Sequence, residues 1–538
     1  MIRRRPAALA ALAALALVLS SAGCGARQAA ADTLVFAVDD EPLVLDPHAS
    51  PQDSAALFTR PVLDSLVSLG PDGRVEPWLA TAWSVSPDRR TYTFTLREDV
   101  RFSDGTRFDA AAVKANLDHI ADPKTQSRLA AHYMEPYTGS TVVDARTVKV
   151  HFAKPHAPFL AALSEAFFGM QSPASLRRGL DVLARHVVGS GPFVIERFVP
   201  HQEIVYRRNP GYRWGPATAR HTGPARLARL KFTILTEDSV RLGALTSGQA
   251  DAIASVPPVT VRRVRANPRL RVETRPAPGG VYMYLPNVGR GVFTDRRVRE
   301  AFRIGIDHPT IVRRLYFGLF SPAFSPLGTS TPGYDSGTRA RWRFDRAAAG
   351  RLLDEAGWTG RDRQGYRTKN GRRLVVRWPF QRGTAREQRA ELAELVQSEA
   401  RKIGIDLRVG NVSQAEYFPL YGSGDYDLVD YVGRRIDGDM LRNLFATSFI
   451  STPEKFGQNG ARYSDRQVDG WLAAALATDD RAERADLYAR VQRKVMDESV
   501  AFPVYEPAYV LGASKTVHGI GWSPLAYPTF YEAWVSER

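Results

Sequence analysis

The sequence predicts an α/β protein of two lobes, each built on its own sheet, and three observations carry that reading. Amphipathic helices that begin at an acidic residue alternate with short strands rich in β-branched and aromatic side chains, the pattern of layered α/β structure. The chain has 538 residues, well beyond the ~250–300 at which a single hydrophobic core stops growing. Its composition, 44% hydrophobic, 24% charged and 10% aromatic, is globular, with no low-complexity tract and no internal repeat.

At the N-terminus Arg3, Arg4 and Arg5 precede an apolar run from Ala7 to Leu19 and then Ser20-Ser21-Ala22-Gly23-Cys24. That order reads as a secretory leader over residues 1–23, since the apolar run is too short to remain as a membrane span. Cys24 is the only cysteine and follows small residues suited to a lipoprotein signal peptidase, so its expected use is acylation of its thiol. The residue three before it is Ser21 where most such signals carry leucine, and ordinary cleavage nearby is the alternative. With no second thiol there is no internal disulfide, and core burial must hold the fold.

After a linker over 24–32, Thr33–Val38 reads as a buried first strand, broken by Glu41-Pro42. Thr91–Leu96 alternates with period two, and Ser103-Asp104-Gly105-Thr106 supplies a turn. Asp109 is the expected N-cap of a helix that buries Val113, Leu117 and Ile120. Asp238 is expected to cap a helix carrying Val240, Leu242 and Leu245, with Gly248 at its left-handed C-terminus. Asp295 opens a third helix with Val298, Phe302 and Ile306 inward. Leu392, Leu395, Val396 and Ile403 mark a fourth that stops at Gly404, and the strand Ile405–Val409 follows.

The formal net charge is +16, and three of the arginines belong to the leader. The rest are scattered among 57 acidic residues, without the clustered basic stripe and interleaved aromatics of a nucleic-acid groove; a solvated arginine-rich surface is the reading, with no nucleic-acid partner. Catalytic signatures are missing too: there is no Gly-x-Ser-x-Gly elbow, no His-Glu-x-x-His and no phosphate-binding glycine-lysine loop. His151 and His156 have spacing that a metal site can use but flank a strand end and read as structural. Asp437 and Asp439 form a carboxylate pair of a kind common on solvated loops. No catalytic residue, metal site or cofactor is expected.

Leu66 to Ile120 resembles the signature segment of the family 5 extracellular solute-binding proteins, the oligopeptide, dipeptide and nickel receptors of ABC importers. The matching residues are Val75-Glu76-Pro77-Trp78-Leu79-Ala80-Thr81-Ala82-Trp83, Thr91 to Arg97, and Val100-Arg101-Phe102-Ser103-Asp104-Gly105-Thr106. The likeness continues through Gly189-Ser190-Gly191-Pro192-Phe193, Arg208-Asn209-Pro210-Gly211-Tyr212, Arg299 to Asp307 and Phe502-Pro503-Val504-Tyr505. It implies a periplasmic-binding-protein-like clamshell of type II: a first lobe from 33–68, 189–275 and 506–538, an extra subdomain over 69–188, and a second lobe over 276–505. It also implies ligand capture by hinge closure, a monomeric receptor lipid-anchored outside the cytoplasmic membrane, and delivery to a permease driven by separate ATPases. Peptides are the leading ligand class; sugars, metal chelates, other anions, or a sensory role without transport are the alternatives.

The resemblance further implies where the ligand sits. In peptide-binding members a Trp is followed closely by an Asp that pairs with the ligand's α-ammonium; alignment puts Tyr431 at the Trp and Arg434 at the Asp, with Arg435 beside it. That reversal of charge favours an anionic or polyhydroxylated ligand. Two alternatives stand: the arginines pair with Asp437, Asp439 or solvent, or a one-gap shift makes Asp437 the amine's partner. Glu41 and Leu43 after the first strand, and Tyr282, Tyr284 and Asn287 in the crossover segment, complete the expected contacts, although Tyr282 and Tyr284 share one face of a strand and packing is their other reading.

Overall fold

A computed structural model describes residues 32–50, 52–127 and 129–537; the leader, Cys24 and all but the last residue of the linker lie outside them. Two main sheets organise the chain. The larger has seven strands in the order Leu270–Pro276, Ala508–Ser514, Ala252–Ile253, Thr33–Val38, Arg229–Ile234, Glu203–Arg208, Phe193–Val199. Thr33–Val38 lies parallel to both of its neighbours, and every residue of the run Phe36-Ala37-Val38 is buried, as expected of a strand covered on both faces. Phe36, Phe232 and Phe530 meet ring to ring at 5.3–5.4 Å; such pairs add about 0.5–1.5 kcal/mol each beyond their buried area.

The second sheet has four antiparallel strands, Ser321–Pro322, Phe502–Glu506, Gly279–Pro286 and Leu428–Arg434. Beside it the parallel pair Val375–Phe380 and Asp406–Asn411 is tied on where the Arg377 amide donates to Asp427 at 2.8 Å. A third sheet, Ala80–Val85, Thr91–Leu96, Thr147–Phe152 and Tyr137–Val142, is an antiparallel layer. Its strand Thr91–Leu96 buries every second residue, which is the alternation that the sequence shows. Two adjacent segments carry the chain between the main sheets, and they bond to each other where the Ala277 amide donates to the Pro507 carbonyl at 2.9 Å.

The helix boundaries follow the caps. The Asp109 carboxylate accepts from the Ala112 amide ahead of Ala110–Ala121, and Val113, Leu117 and Ile120 are buried. Asp295 caps Arg296–Gly305 in the same way. Gly248 takes a φ of 80° and Gly404 a φ of 84° at helix ends, a conformation that costs a residue with a side chain. Two expectations need correction. Asp238 is the first helical residue rather than the cap, and its carboxylate instead meets the buried Arg241 guanidinium at 2.5 Å. Val240 and Leu395 are exposed, because the inward arcs of Asp238–Ser247 and Arg389–Lys402 are narrower than the apolar residues alone suggest.

Trp78 and Trp83 pack against the core of the larger sheet, and Trp78 donates its indole N–H to the Trp214 carbonyl at 3.1 Å. They are packing residues. His151 and His156 likewise diverge: His151 bonds Thr91 and Thr141, whereas His156 bonds the Tyr133 carbonyl at 2.7 Å.

Gly279 begins the crossing strand with a φ of 117° and pairs with Arg434. A Cβ there would press on the Arg435 amide and lie 2.5 Å from the Gly433 carbonyl oxygen. We expect Gly279→Ala to lower unfolding stability by roughly 1–3 kcal/mol, read by urea denaturation. Wild-type stability in that variant would contradict this close approach.

Candidate functional site

The strand Leu428–Arg434 pairs with Gly279–Pro286 through two facing glycines, Gly280 and Gly433, and a register shift between Gly280 and Met283. Past that shift the chain turns, held where the Arg435 amide donates to the Pro278 carbonyl at 3.0 Å. This turn delivers Arg434 and the buried Arg435 to the junction with Tyr509 and Tyr527 on one side and Tyr133 on the other.

Both guanidinium groups lie on tyrosines that belong to other parts of the chain. Arg434 sits 4.3 Å from the Tyr527 ring centroid and 5.8 Å from that of Tyr509, and it donates to the Leu525 carbonyl at 3.2 Å. Arg435 lies 3.8 Å over the Tyr133 ring. Their carboxylate contacts are long: Asp53 stands 3.6 Å from Arg434, and Asp439 stands 3.9 Å from Arg435. Asp439 is committed elsewhere, accepting from Arg442 at 2.8 Å. For both arginines burial works against the charged form, yet the facing tyrosines and acids hold the pKa above the ordinary arginine value. The charges persist at any physiological pH.

Two small chambers flank these residues, each of about 10 Å³, room for roughly one water molecule. Tyr133, His156, Arg435, Asp437 and Asp439 are among the residues around the first. Arg60, Glu165, Leu525 and Tyr527 are among those around the second. Glu165 is 1% exposed, and neither of its carboxylate oxygens has a hydrogen-bond partner. Burial pushes its pKa up to about 8, opposed by the Arg435 charge, by the Ile436 backbone amide and by Arg60; Asp437 pushes it further up.

The other residues expected at the site are placed differently. Asp437 lines the first chamber, but its carboxylate already accepts from Arg484 at 2.7 Å and from the Tyr488 hydroxyl at 3.2 Å. Tyr431 is half-buried beside Met440 and Gln458. Tyr282 and Tyr284 are wholly buried. Tyr282 stacks on Tyr505 at 4.9 Å and donates to Asp430 at 3.3 Å, and Tyr284 packs on Trp378 at 5.0 Å. Asn287 is buried too, its amide bonded to the carbonyls of Gly424 and Tyr426. These three serve packing, since a side chain enclosed on every side has no face left for a ligand. Glu41 accepts from the His201 amide at 2.7 Å and Leu43 is 73% exposed, so neither faces the chambers.

Sequence reasoning missed Tyr133, Glu165, Tyr509 and Tyr527, which come from distant stretches and carry no motif. It also missed a group formed by Asp46, His48 and His119, whose ligand-type atoms all lie within 4.8 Å of one another. Hydrogen bonds account for that group: Asp46 accepts from Gln171 at 2.7 Å and meets His119 at 2.9 Å, and His48 bonds the Gly169 carbonyl at 3.0 Å. Burial lowers the His48 pKa to about 4, so the ring stays neutral.

At the rim of the gap between the lobes the contacts are exposed. Arg386 meets Asp40 at 2.7 Å, Arg89 meets Asp479 at 3.2 Å, and Arg481 donates to the Gly73 carbonyl at 2.7 Å. Exposed pairs of this kind contribute about 0–1 kcal/mol each.

Comparison with known proteins agrees with this architecture. Residues 74–449 match the model of the bacterial extracellular solute-binding proteins, family 5 Middle. The glutathione-binding protein GsiB of Salmonella paratyphi A is 28% identical over 515 residues, covering 94% of this chain and 95% of that protein. NikA from Brucella suis, solved in complex with Fe(III)-EDTA, is 26% identical with a TM-score of 0.81, covering 94% of this chain and 100% of that one. DppA from Helicobacter pylori, solved with the peptide STSA, shares the fold at 22% identity and a TM-score of 0.76, with 94% and 98% covered. These relatives are binding proteins rather than enzymes, and among the described residues no helix is long and apolar enough to cross a membrane. The chain belongs to the family 5 extracellular solute-binding proteins, the receptors of ABC importers.

Proposed function

We propose that this protein captures a small hydrophilic solute through a carboxylate or comparable anion, in the gap between its lobes, and presents it to an ABC permease. One observation carries the reading: Arg434 and Arg435 stand side by side at the gap, on tyrosines, each with its carboxylate contact no closer than 3.6 Å. A planar guanidinium so held offers parallel N–H donors to an incoming carboxylate and loses little freedom on binding it. Peptides remain the leading class, and the glutathione named in GsiB and the EDTA complex named in NikA are carboxylate-bearing solutes of the same kind. The engagement of Asp437 by Arg484 speaks against Asp437 as the partner of a peptide amine.

The lipid anchor at Cys24 completes the proposal, holding the receptor at the outer face of the membrane close to the permease. Cys24→Ser should shift the protein from the membrane fraction to the soluble fraction on cell fractionation. An unchanged distribution counts against the anchor.

Calorimetric titration with glutathione and with tricarballylate tests the site. Arg434→Ala should weaken binding about 10- to 100-fold, the loss of a charge-assisted contact of ~1.5–3 kcal/mol. Asp437→Ala should lower folding stability by about 3 kcal/mol through the unpaired Arg484 and change affinity much less. Binding that is lost with Asp437→Ala and kept with Arg434→Ala overturns the anion reading in favour of amine recognition at Asp437.

A further inference from the structure

We infer that Glu165 is a cation subsite of the same gap, so that the solute carries an ammonium or guanidinium group as well as its anion. The inference rests on the anion reading above and narrows it to zwitterionic solutes.

The geometry is that of a fixed, buried carboxyl beside a small chamber. Glu165 stands in the turn between Phe159–Ala162 and Ala166–Phe168, and the turn is tied down at three points. Its amide donates to the Ala162 carbonyl at 2.9 Å, its carbonyl accepts from the Ser65 hydroxyl at 3.1 Å, and Arg60 donates to the Ser164 carbonyl at 2.9 Å. A side chain on so fixed a backbone cannot easily swing to water. Yet both carboxylate oxygens are buried without a hydrogen-bond partner, and among the described residues no basic nitrogen approaches within 4.0 Å of them. A buried carboxyl with every acceptor unmet is costly, about 1–3 kcal/mol for each unsatisfied group, and native structures hold few.

The surroundings explain why a ligand's cation fits and a side chain's does not. Arg60 is engaged below by the Leu63 and Ser164 carbonyls and the Ser65 hydroxyl. Arg435 is drawn the other way, onto Tyr133 and toward Asp439. Glu165 shares its chamber with Tyr527, the same ring that carries Arg434. The Arg435 charge acts on Glu165 directly, so a solute bound through that arginine lies beside Glu165. The raised pKa agrees: without a ligand the carboxyl is largely protonated near neutrality, and a bound cation draws it into its charged form.

The test has two arms on the purified protein. In the first, glutathione and N-acetylglutathione, together with arginyl-glutamate and its N-acetyl form, are titrated at pH 7.4 into the wild type and Glu165→Gln. The wild type should prefer the free-amine member of a pair about 10-fold or more, and Glu165→Gln should erase that preference while N-acetyl binding holds. A preference untouched by Glu165→Gln, or carboxylates bound equally well with the amine capped, overturns the cation subsite and leaves the anion reading standing. If no member binds to either protein, both readings fall for this ligand class.

The second arm needs no ligand. A carboxyl with a folded pKa near 8 and an unfolded one near 4.5 binds more protons in the folded state between those values. Its contribution to stability therefore falls as pH rises from about 4.5 to 8. Of the groups facing it, Arg60, Arg435 and Tyr133 keep one charge state across that window, and the Asp437 carboxylate is engaged by Arg484 and Tyr488. Glu165→Gln should flatten this part of the stability profile and melt no lower than the wild type at pH 8. A variant that melts lower at pH 8 marks Glu165 as a structural partner of the arginines and overturns the proposal.

Discussion

The proposed site depends on two arginines resting on tyrosines that belong to other parts of the chain. A guanidinium over an aromatic face gains about 0.5–2 kcal/mol from the ring's electron density while its in-plane N–H groups stay free for another partner. Arg434 on Tyr527 and Arg435 on Tyr133 use this arrangement. A short pair to an aspartate would have stabilised either charge more but consumed the donors. The turn that presents them depends in turn on the close strand approach at Gly279, Gly280 and Gly433.

The contrast with the neighbouring acids shows why this part of the gap stays positive. Asp437 is closed by Arg484 and Tyr488, and Asp439 by Arg442, so two carboxylates beside the arginines are neutralised within their own lobe. Glu165 is the exception, unpaired and buried. Around this centre the rim of the gap carries exposed ion pairs of small net value, and the chain crosses between the main sheets by two bonded segments at Ala277 and Pro507. With few strong bonds at the rim and few crossings, little at the rim opposes a hinge motion between the lobes.

Much of the fold is legible in the sequence because it is written locally. Thr33–Val38 and Thr91–Leu96 follow from period and composition, and Asp109, Asp295, Gly248 and Gly404 mark helix ends by cap chemistry. The site is less legible, for a physical reason. Arg434 and Arg435 stand out by alignment with a family pattern, but the tyrosines beneath them lie roughly 90 to 300 residues away in sequence, and nothing in Tyr133 or Tyr527 announces a partner. Tyr282 and Tyr284 stay open between contact and packing for the converse reason: a tyrosine-rich strand reads alike whether its face meets a cleft or a core. The unmet carboxyl of Glu165 is invisible in sequence, since lacking a partner is a property of three-dimensional surroundings.

Native mass spectrometry of the protein purified from its own cells, without denaturation, tests the central claim most directly, because a receptor of this kind retains a tight ligand through purification. The account predicts a co-purified small solute, released on unfolding, whose composition includes at least one carboxylate or other anion. A retained neutral oligosaccharide with no ionisable group would contradict it.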